Sequence, residues 1–334
     1  MTLLTDIDRV IRRDPAARGL ISSEPQYGPL GAGQLQAAAE DLAQHASCVV
    51  LVTGFFVPRG DPPAAETDGP PGTLLLAQAL EAIGVETRVL TDEFCVSAVA
   101  AAAAASGYAR EKLLVWPRVS DEWLVEFFER GPGRRMSHLI ALERVGPSHT
   151  QASFLAQRRT ADPPIDMYRE RVPPESHGRC HNMRGEIIDE QTAGMERLFE
   201  DVRRYRPQAK TIGVGDGGNE IGMGAILWED LVRRLEGAHS ARIPCRVATD
   251  WLIVAGTSNW GGYALAAATL ALRGAADALA PWDGEHQRRV LEQMVEHGPA
   301  VDGVTGRREA TVDGLPFLTY IQPWEGIRRL LGLT

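Results

Sequence analysis

Residues 48–73 read CVVLVTGFFVPRGDPPAAETDGPPGT. The run Cys48–Val57 is rich in Val and Leu and lacks the strict alternation of a half-exposed strand. That is the pattern of a strand buried on both faces of a parallel sheet. A turn-rich segment follows, and it carries Glu66 and Asp68 to the edge of a helical pattern at Thr73–Ile83.

The same order recurs along the chain. Apolar runs at Val85–Leu90, Lys112–Trp116, His138–Leu142, Thr211–Val214 and Arg246–Ala255 read as further strands. Helical patterns at Phe94–Ser106, Asp121–Arg130, Ala225–Leu235 and Gly262–Arg273 follow nearly all of them. Strand and helix in alternation predict an α/β fold, with a mostly parallel central sheet covered by helices on both faces. Two stretches break the rhythm. Residues 146–192 hold no sustained periodicity and read as a long loop or lid. Residues 299–334 contain VDGVTGRREATVDGLPF, whose two Asp-Gly turns flank a polar strand-like stretch and predict a C-terminal cap or hairpin. No linker composition divides the chain, so a single domain over 1–334 is expected, with these two appendages.

Composition narrows the function. Of 334 residues 44% are hydrophobic, enough for a large core, and 35 Lys plus Arg against 44 Asp plus Glu give a net charge of -9. That balance argues against a nucleic-acid surface. Cys48, Cys95, Cys180 and Cys245 stand singly, as reduced thiols of a cytoplasmic protein do. The start MTLLTDIDRVIRRDP carries charges where a signal peptide is apolar, and Val96–Ser106 is too short to span a bilayer, so no membrane role is expected. The apolar stretch IRRLLGL near the C-terminus reads either as a helix packed on the core or as a homodimer contact.

Ligands of open α/β sheets bind beyond the carboxyl ends of the strands. Five loops there bring acids or amides: Glu66 and Asp68; Thr91, Asp92 and Glu93; Glu143 and Arg144; Asp216, Asn219 and Glu220 of GDGGNEIGMG; and Ser258 and Asn259 of AGTSNWGG. From Gly213 the spacing formally fits a dinucleotide fingerprint, yet Asp216 would repel a pyrophosphate, and no Gly-Lys-Ser/Thr follows. No NAD is expected. An acid-bearing glycine turn suits a hard divalent cation or a substrate ammonium instead. Plainer roles compete at each position. ETDG is also good helix-capping chemistry, Glu143–Arg144 fits a strand-end ion pair, and Asp250 fits either a site carboxylate or the acid that opens its strand. The histidines lack metal-ligand spacing and read as solvated, with His181 a proton shuttle only if its loop closes. No GxSxG elbow supports covalent catalysis.

PPAAETDGPPG, ALERVG, NMRG, GVGDGGNEIGMG, ATDWLIVAGTSNWGGYAL and VDGLPF, in this order, resemble the D-glutamate cyclase family, and the likeness runs from DPAARGL at Asp14 to Phe317. The resemblance implies a lyase that dehydrates D-glutamate intramolecularly to 5-oxo-D-proline, with manganese bound and magnesium fitting the same donors. It implies a small carboxylated substrate, D-glutamate or an analogue. Glu66, Asp68, Asp216 and Glu220 become candidate metal ligands, and with Glu143 they are candidate catalytic acids. Arg144 or Arg184 becomes the clamp for the α-carboxylate. Thr53, Gly54, Asn182, Gly217, Gly218, Asn219, Ser258 and Asn259 become candidate substrate-binding residues, with the glycine-loop amides facing a tetrahedral oxyanion. Cys180-His181 replaces an aromatic pair of the family pattern, which bears on substrate choice. A metal-dependent phosphatase of small phosphoesters and a non-catalytic binder of amino acids or nucleotides are the alternatives.

Overall fold

The computed structural model describes residues 2–117 and 120–333; Met1, Arg118, Val119 and Thr334, within the expected 1–334 span, lie outside the described residues. Six strands form the central sheet: β1 Cys48–Thr53, β2 Glu86–Asp92, β3 Leu113–Trp116, β4 His138–Leu142, β5 Lys210–Gly215 and β6 Trp251–Val254. They lie in the order 3-2-1-4-5-6 and every neighbouring pair is parallel. The expected α/β fold is therefore observed.

Strand side chains alternate between two separate cores, which explains why the apolar runs do not alternate in sequence. Val49, Leu51, Val89, Ile140 and Val214 face one layer, while Val50, Val52, Leu90, Leu139 and Val254 face the other. The first layer is built from α1 Leu3–Ile11, α2 Gln34–His45, α3 Pro70–Ala82, α4 Val96–Ser106, α7 Ser258–Leu272, α8 Gly284–His297 and α9 Gln322–Leu330. The second holds α5 Asp121–Glu129 and α6 Glu196–Tyr205, which bury Phe127, Phe128, Leu198 and Phe199.

Helices α1, α2, α6 and α8 lie outside the set of patterns read from sequence. The pattern at 225–235 forms only a short helix, Trp228–Val232. Residues 146–192 are less loop-like than expected. Short helices at Gln151–Ala156 and Ile165–Arg171 gather Phe154 and Tyr168 against Trp228 in a small third core. Helices of two turns or fewer are too brief to write a period into the sequence. The stretch 299–334 contains the expected hairpin, Thr311–Val312 against Leu315–Pro316. Its two turn residues, Asp313 (φ 53°) and Gly314 (φ 75°), are both left-handed, as a two-residue hairpin turn prefers. IRRLLGL belongs mostly to α9, whose Trp324 and Ile327 are fully buried in the first core. Among the described residues no helix is long and apolar enough to cross a membrane.

One contact brings two helix N-termini together at the site. A Cβ on Gly72 would stand 2.8 Å from the Asn259 Cα, and one on Gly262 only 2.9 Å from the Gly72 carbonyl oxygen. Asn259 fastens the pair: its Oδ1 accepts the N–H of Gly69 (3.0 Å) and of Gly72 (2.8 Å). Gly72→Ala is expected to destabilise the protein by about 1–3 kcal/mol through overpacking. A urea denaturation curve measures this, and an unchanged midpoint would mean that α3 and α7 separate freely.

Candidate functional site

The strand order reverses between β1 and β4, the position where doubly wound sheets open a crevice. A cavity of about 320 Å³ lies there. Its walls are the loop after β1, a turn at residues 182–186 and the C-terminal segment 303–306. Arg59 ion-pairs with Glu186, and the Asp61 N–H donates to the Gly306 carbonyl at 2.8 Å, so the three walls are tied to one another. Glu66, Glu143 and Asp216 face the cavity from inside.

Carboxylate oxygens of Asp68, Glu143 and Asp216 all lie within 4.8 Å of one another, and all three residues are buried. Each is fixed from a different strand end. Asp68 accepts the N–H groups of Ser258 (2.7 Å) and Asn259 (2.9 Å), capping α7 across the sheet edge. Glu143 ends β4 with φ 50°, a left-handed conformation that non-glycine residues seldom adopt and that marks functional positions. Its Oε2 accepts the Ser258 hydroxyl at 2.5 Å. Asp216 follows β5 and accepts from Arg18.

Arg18 also donates to both oxygens of Asp313, at 2.8 and 3.0 Å. The two arrive from opposite ends of the chain. Asp14 holds the turn that presents Arg18, accepting the N–H of Arg18 and of Gly19 at 2.9 Å each. The hairpin turn described above presents Asp313. Neither residue was among the sequence candidates. Signals existed in DPAARGL and in the Asp-Gly turn, but each is also ordinary turn chemistry.

Glu66, Asp68, Glu143, Asp216 and Asp313 are all buried, and Arg18 is the cation hydrogen-bonded among them. Positive charge is short. Burial, then the charges of Asp313 and Asp68, pushes Glu66 well above the usual carboxylate range. Burial, then Glu220 and Glu66, does the same to Glu143. Burial raises Asp216 strongly even against Arg18. Asp68 is raised to about 7, first by burial and then by Asp313. Burial opposes the Arg18 charge, yet Asp216 and Asp313 hold its pKa well above the usual guanidinium value. Hard oxygen donors short of a counter-charge fit a divalent cation, and Asp68, Glu143 and Asp216 are the residues that would hold one.

The remaining candidates divide. Glu66 lines the cavity, and its Oε1 finds no hydrogen-bond partner among the described residues. Asn182, Arg184 and Asn219 also line it. Glu220 lines it too, but its carboxylate is taken up by its own loop, accepting from the N–H of Asp216 (3.1 Å), Gly217 (2.6 Å) and Gly218 (2.7 Å). A Cβ on Gly215 would meet its carboxyl at 2.8 Å, so that glycine makes room for it. Gly217 and Gly218 thus offer their amides to Glu220, and Glu220 stands outside the three-acid group.

Arg144 is fully buried away from the cavity, bonded to Asp92 and Thr192 (2.6 Å each) and to the Gly54 carbonyl (2.8 Å). Thr53, Gly54, Ser258 and Asn259 are buried behind the cavity wall, the last two as the helix braces already described. Asp250 pairs with Arg203 and accepts from Thr211, at the amino end of β6 far from the site. His181 is buried, not solvated, and burial lowers its pKa to about 4.

The charge shortage sets a pH dependence. A carboxyl raised from 3.8 to about 7 binds its proton in the folded state and releases it on unfolding. The contribution of Asp68 is therefore present below about pH 4 and lost as pH rises through about 7. Metal-free protein is expected to melt at progressively lower temperature across that window. Mn²⁺ should raise the midpoint, most strongly at the upper end, where the carboxylates are ionised. Scanning fluorimetry with and without Mn²⁺ measures both, and a midpoint indifferent to Mn²⁺ at every pH would remove the cation from this cluster.

The sequence profile described as D-glutamate cyclase-like, C-terminal, matches residues 7–161 and 150–328. The chain is also similar to the human protein named D-glutamate cyclase, mitochondrial, at 29% identity over 342 residues, covering 94% of this chain and 49% of that protein. It thus spans about half the length of this curated relative. With the profile covering most of both cores and all three clustered acids, the chain belongs to the D-glutamate cyclase-like family.

Proposed function

We propose that this protein is a lyase that cyclises D-glutamate to 5-oxo-D-proline with loss of water. The observation that carries the reading is the buried Asp68–Glu143–Asp216 group beside the cavity, in a chain of this family. In the reaction the substrate nitrogen bonds to the γ-carboxyl carbon and one carboxyl oxygen departs. Two protons leave the ammonium, two join that oxygen, and water is released, so no outside reductant or acid is consumed.

This chain's residues suit each requirement. Glu66 lines the cavity with an unpartnered oxygen and is held toward its neutral form, which equips it to pass protons from nitrogen to departing oxygen. Asp68, Glu143 and Asp216 would hold a divalent ion, Mn²⁺ or Mg²⁺, which when bound polarises a carboxyl group and neutralises negative charge. The tied walls hold the loops that would position the substrate's amine against its γ-carboxyl carbon. All four cysteines are free and buried, which agrees with a cytoplasmic setting as part of this proposal.

A phosphatase would draw on the glycine loop as a phosphate cradle, but Glu220 already takes three of its amides. A binder without chemistry gains little from clustered buried acids. The cyclase reading is therefore preferred to both.

Metal-loaded protein incubated with D- and L-glutamate, followed by chiral chromatography, tests the reaction. The expected result is 5-oxo-D-proline from the D-enantiomer, suppressed by chelator. Phosphate release from small phosphoesters without any cyclisation would transfer the site to the phosphatase alternative. Glu66→Gln is expected to lower kcat about 10²- to 10⁴-fold while leaving Mn²⁺ binding in place. Full turnover in that variant would dismiss Glu66 as the proton carrier.

A further inference from the structure

Three guanidinium groups line the cavity: Arg18, Arg59 and Arg184. Arg18 is committed to Asp216 and Asp313, and Arg59 to Glu186. Arg184 alone of the three has no carboxylate partner among the described residues. It is exposed at the cavity mouth, while Glu66, Glu143 and Asp216 lie buried deeper.

Its backbone is nonetheless fixed. Asn182 Oδ1 accepts the N–H of Arg184 (2.9 Å) and of Glu186 (3.0 Å), and Asn182 Nδ2 donates to Glu186 Oε2 at 2.9 Å. The Asn182 carbonyl accepts from Gly185 at 2.9 Å, closing the turn. Asn219 anchors the segment leading into it, donating to the His181 carbonyl at 2.8 Å. A short, internally bonded turn thus presents one uncommitted cation over an acidic floor.

That polarity selects a ligand class. A simple amine would meet repulsion from Arg184, and a ligand without a carboxylate at that end would leave the guanidinium unmet. An α-amino acid satisfies both ends, with its ammonium toward the acids and its α-carboxylate in the guanidinium fork. We infer that Arg184 is the specificity-determining contact for a free α-carboxylate, with Asn182 its positioning residue, so that the site takes zwitterionic α-amino acids with a second carboxyl group in the side chain. This rests on the cyclase reading and adds what the enzyme demands of its substrate.

The test compares D-glutamate with D-isoglutamine, which keeps the γ-carboxylate but carries an amide at the α-position. Wild type, Arg184→Met, Arg184→Lys and Asn182→Ala are assayed with Mn²⁺ for 5-oxoproline and 5-oxoprolinamide. Arg184→Met is expected to lower kcat/KM for D-glutamate about 10- to 100-fold, chiefly through KM, so that the preference over the α-amide collapses. Arg184→Lys should recover part of the loss, and Asn182→Ala should show a smaller loss in the same direction. Equal losses for both substrates, or no loss for either, would overturn the inference. If wild type forms no product from either compound, the cyclase reading fails. Calorimetric titration with D-glutamate then decides the inference separately: weaker binding to Arg184→Met than to wild type upholds it, and equal binding or none to wild type overturns it.

Discussion

Five buried carboxylates gathered around one guanidinium is the constraint on which the rest of this structure depends. Isolated ionised acids in a protein interior are strongly disfavoured, so Glu66, Asp68, Glu143, Asp216 and Asp313 must find protons, hydrogen bonds or cations. Arg18 answers part of that demand and in doing so ties residue 18 to residues 216 and 313. Backbone amides at the start of α7 answer another part through Asp68. What remains is a site biased toward accepting positive charge.

The same bonds that temper the acids also assemble the fold. Asp68 and Asn259 join the N-termini of α3 and α7, and the contact of Gly72 with Gly262 lets those helices approach closely enough for the bonds to form. Ser258 then reaches Glu143 at the end of β4. Loosening the helix pair would therefore shift the acids relative to one another. Stability and site geometry are coupled here through a few short polar contacts, not through the two apolar cores beneath them.

Much of this was legible in the sequence, for identifiable reasons. Strands buried on both faces write continuous apolar runs, so all six could be read, and the carboxyl-end rule then singled out Glu66, Asp68, Glu143 and Asp216. Arg18 and Asp313 were not legible, because their role comes from meeting across nearly the whole chain and neither stands at the end of a central-sheet strand. Arg144 and Glu220 carried the right chemistry in the right loops. What periodicity and spacing cannot convey is the direction of a side chain, and both turn toward partners inside the protein. His181 likewise sits in an irregular segment that reads as exposed, and only the packing of that segment reveals its burial.

The glycine loop at 213–224 has a wider consequence. Its three amides converge as they would around a phosphate, but the anion they enclose is the side chain of Glu220 from the same loop. Such a loop is a receptor supplied with its own captive guest. Glycine spacing records the hollow and says nothing of the tenant, so the glycine pattern alone does not tell whether such a loop is open to an outside anion. In this chain the acid that fills the hollow stands four residues beyond the first of those amides, at Asp216.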